Sequence, residues 1–188
     1  MSSQGRVHDR TILDALEAIV PVSFSGEAWR ITRKGRDAVR GSAAHGRWSP
    51  SGEFEVLYTS LEREGAIAEI GYRLSLEPVW PSRLKHEIHR IGAYADRTLK
   101  FIDIVSLSPL GVDAAKYEGF DYGATQAIAA AAHFLEFDGL IVPNARHPSS
   151  NLVVFMDRAE GGKLEVRASS ELDWTHWRSG RIPKGKRT

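Results

Sequence analysis

The chain has 188 residues, of which 42% are hydrophobic and 26% are charged, and its formal net charge is +1. This length and composition fit one globular domain with an ordinary hydrophobic core. The near-neutral charge argues against a protein whose main partner is nucleic acid or an anionic membrane surface. The absence of cysteine excludes disulfides, thiolate metal sites and thiol nucleophiles.

The N-terminus and the apolar runs indicate where the protein works. The first residues, MSSQGRVHDR, are polar and lack the apolar core of a signal peptide. The longest apolar run, AIAAAAHFL at residues 127–135, is too short to cross a bilayer. Together with the lack of cysteine, these features predict a cytoplasmic protein with no membrane partner.

Apolar periodicity and turn residues predict strands and helices that are interleaved along the chain. The predicted elements are a helix at 10–20, strands at 27–32 and 54–59, a helix from about residue 60, a strand at 99–104, a helix from about residue 123, strands at 139–143 and 151–156, and the return arm of a hairpin at 163–168. Thr59 and Glu62 have the spacing of a capping box for the second helix. Because the order has no regular βαβ period, we predict an α+β fold with a mixed sheet flanked by helices.

Several common functional motifs are missing from the sequence. It contains no phosphate-binding P-loop, no G-x-G-x-x-G dinucleotide turn and no G-x-S-x-G nucleophile elbow. The run HEIH at residues 86–89 is one residue shorter than the zinc motif H-E-x-x-H. Its histidines lie in a segment predicted to be extended, where they would point to opposite faces. We therefore expect no metal site there, and ordinary, partly exposed histidines instead.

One short segment, HGRWSPSGEFEVLYTSLEREGAIAEI at residues 45–70, combines three groups suited to nucleotide chemistry. Arg47 has a planar guanidinium that can grip a phosphate, and Tyr58 can offer a ring face and a hydroxyl. Glu69 could stabilise a developing positive charge or take a proton. Such a set could break a glycosidic bond in a nucleotide, although the same residue types are often only solvated or half-buried.

Several motifs in a fixed order resemble the RES-domain family. They are GRW-S-P…LYTS…AIAE, with WR upstream and TQAIAAAA…GLIVP…NLVVF downstream, over roughly residues 27–156. The family consists of bacterial toxins that consume NAD, are paired with Xre-type antitoxins, and look related in fold to ADP-ribosyltransferases of the diphtheria-toxin kind. The resemblance implies an N-terminal helical segment at 1–26, a RES-type NAD-consuming domain at 27–170 and a C-terminal basic tail at 171–188.

The resemblance also implies which residues act on NAD. The motif arginine, tyrosine and glutamate fall on Arg47, Tyr58 and Glu69, and the last two are 69 − 58 = 11 residues apart, as the family pattern requires. Glu69 would hold the oxocarbenium-like ribose as carboxylates do in glycoside hydrolysis. Tyr58 would pack against nicotinamide and Arg47 would anchor the diphosphate. Arg30 matches an early family arginine and could also touch the diphosphate. NAD is the substrate, and no metal is implied.

The sequence departs from the family pattern at the motif serine. The family commonly has Pro-Ser after the buried strand, whereas this chain has Pro143-Asn144. An asparagine can donate and accept hydrogen bonds to a carboxamide or a ribose hydroxyl. We therefore expect Asn144 and Ser150 to bind NAD, with Asn144, Ser149 or Ser150 in the role of the family serine.

The acceptor of ADP-ribose and the function class both have alternatives. The acceptor could be water, inorganic phosphate or a side chain of a target protein. A nucleic-acid-binding module is supported by the cations at Arg33, Lys34, Arg36 and Arg40 and by the basic tail. The low net charge and the lack of aromatic residues among the cations argue against it. A non-catalytic interaction protein could use WTHW at residues 174–177 and the alanine-rich helix as a partner surface, although such tryptophans are more often core residues.

Overall fold

The computed structural model describes residues 6–159 and 163–179. These residues contain six strands and four α-helices, joined by loops and short 3₁₀ turns. In chain order the elements are α1 (Arg10–Glu17), β1 (Val22–Arg33), β2 (Val56–Ser60), α2 (Arg63–Ser75), β3 (His86–Lys100), α3 (Gly123–Phe134), β4 (Gly139–Pro143), β5 (Ser150–Phe155), β6 (Leu164–Leu172) and α4 (Trp174–Ser179).

The six strands form one mixed sheet in which five of them pair in a ring. The long strands β1 and β3 are antiparallel along most of their length, starting where Val22 lies opposite Thr98. β3 pairs in parallel with β4, β4 pairs antiparallel with β5, and β5 pairs antiparallel with β2. A single pair, Trp29 with Ser60, joins β2 back to β1, and β6 pairs with β3. Parallel and antiparallel pairings with flanking helices confirm the predicted α+β class.

Helix α3 lies at the centre of the largest hydrophobic core. Its alanines allow a close approach to the sheet, and Ile128 and Ala132 are fully buried in the same cluster as Leu140 and Phe155. Helix α1 packs against α3 and buries Leu16 completely. The alanine-rich helix thus packs against the sheet.

The second helix begins later than predicted. Thr59 and Ser60 belong to β2, and the Thr59 hydroxyl donates to the carbonyl of Leu152 at 2.8 Å. Helix α2 starts at Arg63, with Glu62 at the N-cap position and no side-chain capping bond. The capping-box prediction is wrong because the threonine hydroxyl bonds to the neighbouring strand instead of to the helix.

Two strand predictions also change. The strand predicted at 99–104 is the end of the much longer β3, which stops at Lys100. The return arm predicted at 163–168 begins β6, but β6 pairs with β3, so the predicted hairpin with β5 is wrong. β5 already has β2 on one edge and β4 on the other, which leaves no edge for a further strand. Residues 160–162, which precede this arm, lie outside the described residues.

The predicted segment boundaries fall within continuous strands. β1 starts at Val22, before the boundary at 26/27, and β6 runs to Leu172, past the boundary at 170/171. Helix α4 follows, and its Trp174 is buried and packs edge-on against Trp80. Residues 171–179 are therefore part of the fold. Residues 180–188 lie outside the described residues.

The HEIH run is extended, as predicted, but both of its histidines are buried rather than partly exposed. His86 Nδ1 accepts a hydrogen bond from the indole of Trp174 at 3.1 Å. The His89 ring lies between the hydroxyls of Thr32 at 2.8 Å and Ser169 at 2.7 Å. Burial lowers the pKa of both histidines. Their partners are thus protein groups that stabilise neutral rings in the core.

The described part of the chain contains neither a metal-ligating cluster nor a membrane-spanning helix. Within residues 6–159 and 163–179, no group of three or more His, Cys, Asp or Glu side chains is placed to hold a metal ion. In the same residues, no helix has both the length and the apolar character that crossing a membrane requires.

Candidate active site

A cavity of about 280 Å³ lies between helix α2, the loop before β2 and one face of the sheet. The three residues predicted to be catalytic, Arg47, Tyr58 and Glu69, all line this cavity, and so does Arg30. Much of the remaining wall is aromatic or cationic, and it includes Trp29, Trp48, Tyr72, Arg73, Phe120, Tyr122, Arg146 and Asn151. The structure therefore brings the predicted catalytic residues together.

Arg47 is in the loop between β1 and β2, and the first turn of α3 holds that loop. The Thr125 hydroxyl donates to the Arg47 carbonyl at 2.6 Å, and the Gln126 amide donates to the preceding carbonyl at 2.8 Å. The guanidinium of Arg47 donates to the carbonyls of Tyr117 and Gly119, and lies 4.6 Å from the centroid of the Tyr117 ring. Two of its five N–H groups are used in this way, so with respect to the described residues three remain for an anion.

Tyr58 lies in β2 with its hydroxyl against the loop that carries Arg47. The hydroxyl accepts a hydrogen bond from the backbone N–H of Trp48 at 2.8 Å, which leaves its own proton for another partner. Burial raises the pKa of Tyr58 well above its ordinary value, so the phenol stays neutral and remains a donor. A Cβ on Gly46 would lie 2.8 Å from this hydroxyl, so the close approach requires glycine.

Glu69 is in the middle of α2, and its carboxylate contacts the loop between β4 and β5. Its Oε1 accepts hydrogen bonds from the backbone N–H of Ala145 at 3.2 Å and from the Asn151 amide at 3.4 Å. Helix α2 can approach this loop because Gly65 has no side chain: a Cβ there would lie 2.6 Å from the Ser149 hydroxyl oxygen. Two neutral N–H donors thus hold one oxygen of the carboxylate.

Arg30 lines the cavity from β1 and also holds the loop that follows β1. Its Nη1 donates to the carbonyls of Ala38 at 2.9 Å and Arg40 at 2.8 Å. Burial lowers the pKa of Arg30, and the nearby carboxylate of Asp37 partly opposes this effect. A guanidinium nevertheless stays protonated in proteins. Arg30 therefore adds positive charge to the cavity while it shapes the loop.

Asn144 and Ser150, which were expected to bind NAD, lie outside the cavity. Both line a second depression, together with Ser149. Asn144 is only 6% exposed, and its amide bonds within the protein. Consecutive side chains of a strand point to opposite faces, so Asn151 reaches the cavity and Ser150 does not. Asn144 and Ser150 are therefore not among the described residues that line the cavity with Arg47, and their contact with NAD stays a prediction.

Sequence reasoning missed three cavity residues on α2 and the β4–β5 loop. Tyr72 and Arg73 follow Glu69 by three and four positions, a helical spacing that would have placed them on its face. The guanidinium carbon of Arg146 lies 3.5 Å from the centroid of the Tyr72 ring. Among the described residues, the Arg73 side chain forms no hydrogen bond or ion pair. Arg146 had no comparable signal, because only the fold brings its loop to the helix.

The charge balance of the cavity favours an anionic ligand. Arg30, Arg47, Arg73 and Arg146 all line it, whereas Glu69 is the single acidic residue in the part of its wall that the structure describes. Guanidinium groups bind phosphate oxygens through paired N–H donors. The cavity can therefore hold a molecule that carries phosphate groups and place one of its carbons beside a carboxylate.

Some residues of the cationic run and of WTHW, which supported other functions, have structural roles. Lys34, from the cationic run, forms an ion pair with Glu171 at 2.7 Å, which raises the pKa of Lys34 and lowers that of Glu171. Trp174 is buried in a hydrophobic cluster instead of forming an exposed partner surface. The basic residues from 180 onward lie outside the described residues.

The chain is similar to several known proteins. A model of the RES domain matches residues 27–176. The NAD(+) phosphorylase MbcT of Mycobacterium bovis is 23% identical over 170 residues, covering 87% of this chain and 91% of that protein. A probable NAD(+) phosphorylase of Mycobacterium tuberculosis is 34% identical over 129 residues, covering 65% of this chain and 60% of that protein.

A solved structure has the same fold. One chain of the crystal structure of the M. tuberculosis MbcT–MbcA toxin–antitoxin complex matches with a TM-score of 0.80 at 22% identity, covering 91% of this chain and 97% of that chain. The family model spans most of the chain, including every cavity residue from Trp29 to Asn151. The resemblance seen in the sequence is thereby confirmed, and the chain belongs to the RES domain family.

Proposed function

We propose that this protein cleaves the nicotinamide–ribose bond of NAD and transfers the ADP-ribosyl group to inorganic phosphate, as the toxin of a type II toxin–antitoxin pair. The observation that carries the proposal is the convergence of Arg47, Tyr58 and Glu69 on one arginine-rich cavity. Of the three acceptors left open by the sequence, phosphate is favoured because the named relatives are phosphorylases.

The cavity offers complementary groups to each part of NAD. Arg47 binds the diphosphate with the three N–H groups that the protein leaves unused, and Arg30 adds positive charge nearby. The nicotinamide ring packs against Tyr58. The phenol proton is free to bond to a substrate oxygen, because the phenolic oxygen accepts its hydrogen bond from Trp48. These contacts place the ribose carbon that bears nicotinamide beside Glu69.

The reaction then needs one bond to break and one to form. The bond between the ribose carbon and the nicotinamide nitrogen breaks, and its electron pair neutralises the pyridinium. The ribose gains oxocarbenium character, which the carboxylate of Glu69 stabilises. A phosphate oxygen attacks the same carbon, so the products are nicotinamide and ADP-ribose carrying a phosphate at that carbon.

We assign the binding of the acceptor phosphate to Arg73. This arginine lies one helical turn after Glu69 and lines the same cavity. Among the described residues its guanidinium has no partner, so its full set of donors is available to an anion. A phosphate bound there lies next to the carboxylate that stabilises the ribose cation.

The proposed partner is an antitoxin that prevents NAD from entering the cavity. The support is a neighbour of known structure that was solved as a toxin–antitoxin complex, and the Xre type of the antitoxin comes from the family resemblance. We place the activity in the cytoplasm, where NAD and phosphate are both abundant. The proposal includes no nucleic acid, membrane or metal partner.

Purified protein incubated with NAD, with and without phosphate, tests the function. We expect nicotinamide release that depends on phosphate, and a new phosphomonoester signal of phosphorylated ADP-ribose in the ³¹P NMR spectrum. Release that is independent of phosphate would instead indicate hydrolysis. Label transferred from NAD to a discrete protein in a lysate would indicate a protein ADP-ribosyltransferase. A folded protein that releases no nicotinamide would refute the proposed function.

A further inference from the structure

The sequence contains two asparagines, Asn144 and Asn151, and they bond to each other beside Glu69. The Asn144 amide nitrogen donates to Asn151 Oδ1 at 2.9 Å. The Asn151 amide nitrogen donates in turn to Glu69 Oε1 at 3.4 Å. The same carboxylate oxygen accepts from the backbone N–H of Ala145 at 3.2 Å. Hydrogen bonds thus lead without a break from the β4–β5 loop to the carboxylate.

Backbone groups determine which way both amides point. Asn144 Oδ1 accepts from the Arg146 backbone N–H at 2.7 Å, and Asn144 Nδ2 also donates to the Gly65 carbonyl at 3.3 Å. A reversed Asn144 amide would set donor against donor and acceptor against acceptor at these two contacts. Its nitrogen must therefore face Asn151. Asn151 must then present its oxygen to Asn144 and its nitrogen to Glu69.

The surroundings keep this pair in place. Asn144 is 6% exposed, so solvent has little access to offer its amide other partners. Its backbone N–H donates to the Ser149 carbonyl at 2.9 Å, which closes the loop around it. Asn151 is held in β5, where its neighbours across the sheet are Ser60 on β2 and Val142 on β4. Burial and the hydrogen bonds at both ends of its amide thus hold Asn144 in one orientation.

On the basis of the proposed function, we propose that Asn144 and Asn151 are positioning residues for Glu69. Asn151 presents an N–H donor to the carboxylate. Asn144 determines which end of the Asn151 amide faces Glu69, because backbone groups fix the orientation of the Asn144 amide. One carboxylate oxygen is thereby kept as an acceptor, and the other is directed to the ribose. Asn144, at the position of the family serine, acts through Asn151 instead of contacting NAD.

Asn151→Asp is the most direct test, because it keeps the shape of the side chain and replaces the donor by a second carboxylate. Like charges at this distance disfavour ionisation, so the acid limb of the plot of kcat against pH should move up by roughly one pH unit. The KM for NAD should change by less than about twofold. Ser170→Asp places the same charge on the exposed face of β6 and should not move the limb. An unmoved limb in Asn151→Asp would overturn the inference.

A double-mutant cycle tests the role of Asn144. Asn144→Asp sets an oxygen against Asn151 Oδ1 and turns that amide, so kcat should fall about tenfold. In an Asn151→Ala background, Asn144→Asp should lower kcat only slightly further, because Asn151 no longer links Asn144 to Glu69. Equal losses in both backgrounds would overturn the coupling. If Asn144→Asp melts before assay temperature, Asn144→Ser, which also lacks the amide, replaces it in the cycle.

A measurement without substrate separates this inference from the proposed function. The ¹³C chemical shift of the Glu69 carboxyl can be followed against pH in the wild-type protein and in Asn151→Asp. A higher titration midpoint in the variant supports the positioning role even in a protein that releases no nicotinamide, a result that would refute the proposed function alone. Identical titration curves would overturn the inference.

Discussion

Replacing Glu69 by glutamine removes one negative charge from the cavity and leaves its shape almost unchanged. The glutamine oxygen can still accept the hydrogen bonds from Ala145 and Asn151 that Glu69 Oε1 accepts. The fold should therefore be retained, with a change in the free energy of unfolding of less than about 1 kcal/mol. The variant isolates the effect of charge on the reaction.

The structure sets the size of the expected effect. Two N–H groups hold one carboxylate oxygen, and the other oxygen has no hydrogen-bond partner among the described residues, so it is available to the ribose. Among the described residues, Glu69 is also the single acidic residue that lines the cavity. Loss of one preorganised group that stabilises transition-state charge costs roughly 3–4 kcal/mol, or about 10²–10³ in kcat. We expect a loss of that size in Glu69→Gln, with little change in the KM for NAD.

The assay is nicotinamide release at saturating NAD and phosphate, with circular dichroism to confirm folding. Glu64→Gln is a matched control, because Glu64 is on the same helix, is exposed, and pairs only weakly with Arg63 at 3.5 Å. That variant should keep the wild-type rate. A folded Glu69→Gln protein that released nicotinamide as fast as the wild type would refute the catalytic role of Glu69.

Gly65→Ala should destabilise the fold by about 1–3 kcal/mol in urea unfolding, because its Cβ would lie 2.6 Å from the Ser149 hydroxyl. Arg73→Gln should raise the KM for phosphate about tenfold and leave the KM for NAD unchanged, as measured from initial rates. Burial lowers the pKa of His86 and His89 in the folded protein. As the pH falls, these histidines are therefore protonated in the unfolded chain before they are protonated in the folded protein. Thermal stability should therefore be level above pH 6.5, the ordinary histidine pKa, and decrease below it.

Each of these outcomes has a control within the chain. Gly123→Ala places a Cβ at an ordinary 3.6 Å from Asp121, so a loss equal to that of Gly65→Ala would contradict the packing argument. Arg63→Gln removes a cation at the other end of α2, and an equal rise in the phosphate KM there would contradict the role of Arg73. His89→Gln should make stability less sensitive to acid, and an unaltered pH dependence would show that other groups cause it.

The elements that could be predicted from the sequence are those in which burial demands apolar residues throughout. Residues 139–143 form a strand that is buried at every position, and the alanine-rich helix α3 packs into the core. The predictions that failed concern segments whose structure depends on partners from distant parts of the chain. β3 mixes buried and exposed residues irregularly because different strands pair with its two ends. Thr59 matched a capping pattern, but its hydroxyl bonds to β5.

By itself the sequence determined the family and singled out Arg47, Tyr58 and Glu69 as candidate catalytic residues, because family motifs preserve local spacing and residue type. Only the tertiary structure decided that Asn151 meets the cavity while Ser150 faces away, since consecutive strand residues point to opposite faces and the pairing with β2 and β4 selects the face. The arginine-rich charge of the cavity was likewise decided by the fold. Its cations come from β1, two loops and α2, and their mutual distances depend on packing rather than on separation along the chain.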